Sequence, residues 1–189
     1  MKLFYKKKLP EQLNLINTLK ISIYLLPVSL ILGNAAVNLN SLIIIINLIL
    51  IFFKKELFKN YQNLFLIFSF FLIIIIFNVI FSENIELSII SSLGLLRYFL
   101  LMLAILYCLE NDKKFLLNFC KFLILVLMFV ACDTLFQYFY GSDIFGIQPT
   151  SSHGERLNGP FGNEYIVGSL LSKFFFISLI YFIISNKGY

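Results

Sequence analysis

NLFLIFSFFLIIIIFNVIF, residues 63–81, is nineteen residues long, has no charged side chain, and holds Ser69 and Asn78 as its only polar interior residues. Such a run reaches across a hydrocarbon core of about 30 Å at about 1.5 Å per residue as a helix. An apolar stretch of this length shows neither the alternation of a barrel strand nor the one-sided pattern of a surface helix, so it predicts a membrane-spanning helix. Working outward, five further runs read the same way: 15–33, 38–53, 87–109, 115–139 and 164–185. The second is short and needs Asn38 to Asn40 or Phe52 and Phe53 to reach both interfaces. The expected fold is therefore all-α: a polytopic membrane helix bundle of about six spans, forming a single membrane domain over residues 1–189. Composition agrees, because 60% of the 189 residues are hydrophobic, only 13% are charged, and the mean hydropathy is +0.91. A water-soluble domain is excluded on that ground.

Orientation follows from the basic residues, which gather in short cytoplasmic loops. Lys2, Lys6, Lys7 and Lys8 precede the first run, Lys54, Lys55 and Lys59 follow the second, and Lys113 and Lys114 follow the fourth. Lys187 follows the last. The alternate connections are neutral (34–40), acidic (82–86), or contain Arg156 as their only Lys or Arg (141–163). Both termini are expected in the cytoplasm, with 141–163 as an outer loop. The net charge of +5 belongs to this topology and not to a nucleic-acid surface, since the cations sit between apolar runs. An interfacial belt, with no Trp present, would be built from Tyr5, Tyr61, Tyr107, Tyr138, Tyr140, Tyr165 and Tyr181. Cys108, Cys120 and Cys132 all lie inside apolar runs without metal-ligand spacing and read as packing residues.

Ionisable groups within a span need a partner, a cavity or a reach to the interface. Lys20 and Lys121 lie near expected cytoplasmic ends and can snorkel. Arg97, Asp133 and Lys173 fall instead at one depth, roughly 10–15 Å below the expected outer surface at about 1.5 Å per residue. Two readings stay open: an outward pocket that prefers an anion, or a buried Arg97–Asp133 pair with Lys173 snorkelling. Above that layer the loop reads GSDIFGIQPTSSHGERLNGPFGN (141–163), and its Gly and Pro content predicts a sharply turned path. Asn163 is placed to cap the sixth helix and Glu164 to sit in its first turn, which with Arg156 makes an anion-receptive corner. The competing reading pairs Arg156 with Glu155 or Glu164. His153, the single histidine, is a weak candidate for a proton acceptor, and no catalytic triad forms around it. No metal-ligand or nucleotide-binding motif occurs, so neither a metal nor a cofactor is expected.

The segment RLNGPFGNEYIVGSLLSKF (156–174) resembles the O-antigen ligase and O-antigen polymerase family of bacterial membrane glycosyltransferases. The likeness is an R-x-x-G-x-F motif, here Arg156, Gly159 and Phe161, followed by a Gly-containing helix; Leu96-Arg97-Tyr98-Phe99 upstream is a second, shorter match. The resemblance implies transfer of a glycan from a polyprenyl-pyrophosphate donor to lipid A core or to a growing glycan, on the periplasmic face of the inner membrane, without metal or nucleotide. It also implies that Arg156 holds the donor pyrophosphate; the charged layer then offers Arg97 and Lys173 as further cations, with Asp133, Gly159, Asn163 and Glu164 as supporting candidates. Family members are about twice as long and carry their catalytic histidine beyond a further outer loop. The chain therefore reads as an amino-terminal half from a truncated or split gene, not expected to catalyse anything alone, with a separately encoded C-terminal half as its partner if the gene is split. The alternatives are a non-enzymatic polysaccharide or lipid transporter or flippase component, and a structural membrane fragment without activity.

Overall fold

In the computed structural model of the chain, residues 10–55, 61–149, 156–162, 164 and 166–186 are described. The run that opens the sequence reading forms a helix, Gln62–Ile80, and not one of its residues is buried. Leu66, Ile67, Phe70 and Ile73 are each about two-thirds exposed. A helix that is apolar on every side and only half-covered along one stripe is stable only where the solvent is itself apolar.

Seven helices follow in chain order among the described residues: α1 Pro10–Tyr24, α2 Leu26–Leu32, α3 Asn34–Lys55, α4 Gln62–Ile80, α5 Ile85–Asn111, α6 Phe115–Tyr140 and α7 Val167–Asn186, with a 3-10 turn at Gly159–Phe161. Four of them are long and apolar enough to cross a membrane, and the count is five if α1 and α2 form one bent span. The first expected span, 15–33, is therefore broken. Pro27 is the second residue of α2, where its missing N–H and fixed φ disrupt a continuing ladder but suit a new start. The second span is longer than expected, because the polar run after Gly33 is helix and not loop. Gly33, at φ 99°, is the single residue between α2 and α3. The 63–81, 87–109 and 115–139 runs coincide with α4, α5 and α6 to within a few residues.

The chain divides into two compact units. The first comprises Met1–Ile23 and Ser41–Asn111. Within it α1 buries Ile16, Leu19 and Ile23, and α3 buries Ile44, Leu48 and Ile51, each set at helical spacing on one face. Thr18 on α1 donates to Asn47 on α3 at 3.0 Å. α4 and α5 meet through aromatic rings: Phe68 stacks on Phe99 and Phe65 meets the same ring edge-on at 5.8 Å. Tyr61, just ahead of α4, donates to Glu110 near the end of α5 at 2.6 Å. Burial, and then the Glu110 carboxylate, hold the Tyr61 hydroxyl above the usual tyrosine range. Tyr61 and Tyr107 are thus buried packing residues and not belt members, whereas Tyr138 and Tyr140 are exposed.

The second unit comprises Tyr24–Asn40 and Asp112–Tyr189, and it carries the motif. Its spine is α6. Cys120, Leu123, Leu127, Val130, Thr134 and Gln137 follow one another at alternating steps of three and four, which lays them along one stripe. All are buried except Thr134, which is half-buried. α2, α7 and the 3-10 turn pack on α6. Val130, Phe161 and Val167 form the buried centre of that packing, with Ile31, Ile166, Leu170 and Leu171 around it. Of the three free cysteines, Cys108 and Cys120 are buried as expected, while Cys132 lies on the exposed side of α6.

Candidate functional site

The apolar stripe of α6 turns polar at its C-terminal end. Asp133 and Gln137, one helical turn apart, are 0% and 1% exposed. A buried amide or carboxylate is costly unless it is hydrogen-bonded; the backbone that follows the helix bonds both ends of the Gln137 amide but only one oxygen of Asp133. α6 ends at Gly141, whose φ of 77° is the left-handed C-cap conformation, and its N–H returns to the Gln137 carbonyl at 2.9 Å. The next residues form a tight turn. Asp143 accepts the Ile147 N–H on Oδ1 at 2.5 Å, its own N–H donates to the Ile147 carbonyl at 3.0 Å, and Gly146, at φ 83°, donates to the Asp143 carbonyl at 3.0 Å. Asp133 Oδ1 accepts the Ile144 N–H at 2.9 Å, and Gln137 Nε2 donates to the Ile147 carbonyl at 3.2 Å.

The other end of the Gln137 amide reaches the motif. Its Oε1 accepts two backbone N–H groups, from Asn158 and from Gly159, each at 2.9 Å. One side chain therefore joins the turn after α6 to the Asn158–Gly159 backbone. Asn158, Gly159, Pro160 and Phe161 are all buried. Gly159 is required on two counts. Its φ is +53°, and a Cβ there would stand 2.6 Å from Thr134 Oγ1 and 3.2 Å from Val167 Cγ2. Thr134 cannot easily withdraw, because Oγ1 donates to the Val130 carbonyl at 2.7 Å.

Arg156 lies two residues before this clamped segment and is exposed. Among the described residues it makes no hydrogen bond or ion pair. Glu164 does not pair with it; Glu164 is exposed and accepts from Asn34 Nδ2 at 3.3 Å. The expectation that Asn163 and Glu164 begin the sixth helix is corrected. α7 starts at Val167 with no acidic residue in its first turn. Gly162, at φ 62°, breaks the 3-10 turn, and the Glu164 N–H is used by the Phe161 carbonyl at 3.2 Å before Val167 enters the core. Asn163 itself and His153 lie outside the described residues. Lys173 is on α7, exposed, and without a hydrogen bond or ion pair among the described residues.

Arg97 belongs to the other unit. On α5 it is half-buried, its Nη2 donates to the Tyr98 hydroxyl at 3.2 Å, and its guanidinium lies 5.1 Å from the centre of that ring. That unit also holds an open groove of about 570 Å³ between α4 and α5, with Asn78, Ser82, Glu83, Ser88, Ser91 and Ser92 among its lining.

Gln137, Asp143, Thr134 and Asn158 were not among the residues picked from sequence. A signal for Gln137 and Thr134 existed, since both continue the three-and-four stripe of α6. For Asp143 it was the Asp-x-x-Gly spacing to Gly146. Compared with known protein families, curated proteins and solved structures, the chain has no match.

Proposed function

We propose that the chain is a membrane protein of the O-antigen ligase and polymerase type, spanning the bacterial inner membrane six times with both termini inside. In this reading the 141–163 segment faces the periplasm and Arg156 binds the diphosphate of a polyprenyl-pyrophosphate-linked glycan, which is passed to lipid A core or to a growing glycan. One observation carries the reading: an exposed Arg without an ion-pair partner among the described residues leads directly into backbone that Gln137 and Gly159 hold rigid. A guanidinium on a fixed base offers its fork to phosphate with little ordering cost, and diphosphate is a leaving group that needs positioning and charge stabilisation more than a strong base. Lys173 adds a second exposed cation in the same unit.

The test is binding of polyprenyl pyrophosphate to the full chain in nanodiscs of zwitterionic lipid. Charge-assisted hydrogen bonds contribute about 1.5–3 kcal/mol, so Arg156→Ala should weaken binding by roughly 10- to 150-fold, with Arg156→Lys in between. Equal affinity of wild type and Arg156→Ala would end the reading. A second reading, a component that moves a lipid-linked glycan without transferring it, draws on the serine-lined groove between α4 and α5. Hydroxyls on helices otherwise exposed in lipid suit a polar headgroup path. Movement of the lipid-linked glycan across a vesicle bilayer, with the carrier left intact, would favour it.

A further inference from the structure

Asp133 and Asp143 each use one carboxylate oxygen and leave the other bare. Oδ1 of each accepts a backbone N–H, from Ile144 and from Ile147. Oδ2 of each is buried and has no hydrogen-bond partner among the described residues, in residues that are 0% and 2% exposed. The N–H that Asp133 accepts belongs to Ile144, the residue after Asp143, so both carboxylates sit at the same turn. Among the described residues no Lys or Arg pairs with either. Two carboxyls buried together, each oriented by a backbone donor and each presenting an unsatisfied oxygen, cannot both stay ionised without a counter-charge; they take up a proton or a cation.

We propose that Asp133 and Asp143 bind a hard divalent cation of the Ca2+ class, which fastens the 143–147 turn to the end of α6. Bare carboxylate oxygens are hard donors, and the Ile144 and Ile147 N–H groups fix their direction as outer-shell partners do at metal sites. Ca2+ fits better than Mg2+, because it accepts irregular oxygen shells, whereas Mg2+ keeps several waters that so enclosed a position would exclude. No third His, Cys, Asp or Glu joins the pair among the described residues, so neutral oxygens complete the shell. With only two carboxylates the affinity belongs in the weak range, about 10⁻⁴–10⁻³ M. The ion is structural: with Asp133 fully buried, it does not reach a substrate at the surface.

The experiment is Ca2+ titration by calorimetry on the full chain in nanodiscs of zwitterionic lipid, combined with amide exchange at Ile144 and Ile147. Wild type should bind Ca2+ in that range, and at ten times Kd the two amides should exchange about tenfold more slowly than in EDTA. Asp133→Asn and Asp143→Asn, which keep Oδ1 to accept the backbone N–H, should each weaken binding at least tenfold and remove the Ca2+ effect. Protection at Asn158 and Gly159, held by Gln137, reports that each variant is folded. Absence of Ca2+ binding overturns the proposal, as does binding that survives both substitutions. Protection that follows pH and ignores Ca2+ and EDTA also overturns it, in favour of a proton shared between the carboxyls.

Discussion

Gly159→Ala tests the clamp where its geometry is tightest. Two costs apply. A side chain at φ +53° pays for a left-handed backbone, about 1–2 kcal/mol. The new Cβ also stands 2.6 Å from Thr134 Oγ1, a contact that must open, and forced overpacking costs about 1–3 kcal/mol. Together these give about 2–5 kcal/mol against the folded-back segment. Read as amide exchange at positions 158 and 159 in nanodiscs, at about tenfold per 1.4 kcal/mol, that is between roughly thirty-fold and several thousand-fold faster exchange. Thr134→Ala deletes Oγ1 and leaves an ordinary 3.7 Å contact to Cβ, while the 3.2 Å contact to Val167 Cγ2 remains. Its lost bond to the Val130 carbonyl is a local helix bond of little net value. Adding Thr134→Ala should therefore recover most of the packing share of about 1–3 kcal/mol and retain the Val167 contact and the backbone share. Exchange in Gly159→Ala within a few-fold of wild type would refute the argument, and so would failure of Thr134→Ala to rescue any of the loss.

Gln137→Leu leaves the Asn158 and Gly159 N–H groups and the Ile147 carbonyl to find new partners. At about 1–3 kcal/mol for each buried group left unsatisfied, exchange at 158–159 should rise at least as far as in Gly159→Ala. Because both changes release one segment, the double variant should fall well short of the sum, and strict additivity would mean two separate clamps. Tyr61→Phe removes the bond to Glu110 and should cost about 1 kcal/mol between pH 6 and 9, since the exposed Glu110 turns to water. The Tyr61 hydroxyl is held above its ordinary value, so it stays protonated in the fold after the unfolded chain has begun to ionise. The stability it adds is full below about pH 10 and declines above, and chemical unfolding should show the advantage over Tyr61→Phe shrinking there.

What was legible in sequence was whatever depends on local composition. A charge-free apolar run such as 63–81 has one economical conformation in a bilayer, so α4, α5 and α6 lie where the runs lie. Helix breaks were harder. Residues 34–40 read as an uncharged connection with the second span starting near residue 38, yet Gly33 alone supplies the turn and the helix runs from Asn34. The sixth helix was started too early for a related reason: Asn-Glu is a good start signal, but Gly159–Phe161 form a 3-10 turn and the helix begins only at Val167, seated against Val130 and Phe161.

The motif divides the same way. Arg156 and Gly159 stood out because their residue types are rare or special, whereas the role of Gln137 depends on backbone 21 and 22 residues ahead folding back onto its amide. No periodicity encodes that return. Asp133 was singled out as a charge in a membrane span, and cationic side chains were the partners sought. The fold instead gives it a backbone N–H from the next turn. A buried polar group at a helix end need not give all its hydrogen bonds to a ligand or an opposite charge. It can bind the chain that follows, and in this chain two acids and an amide do so within one turn and a half of helix and the residues just after it. Arg156, two residues from the clamped backbone, gains a fixed base from contacts it does not make itself. Loss of Gln137 should therefore weaken diphosphate binding while leaving the guanidinium in place, and Arg156→Ala should leave exchange at Asn158 and Gly159 unchanged. That asymmetry separates a residue that positions from one that binds.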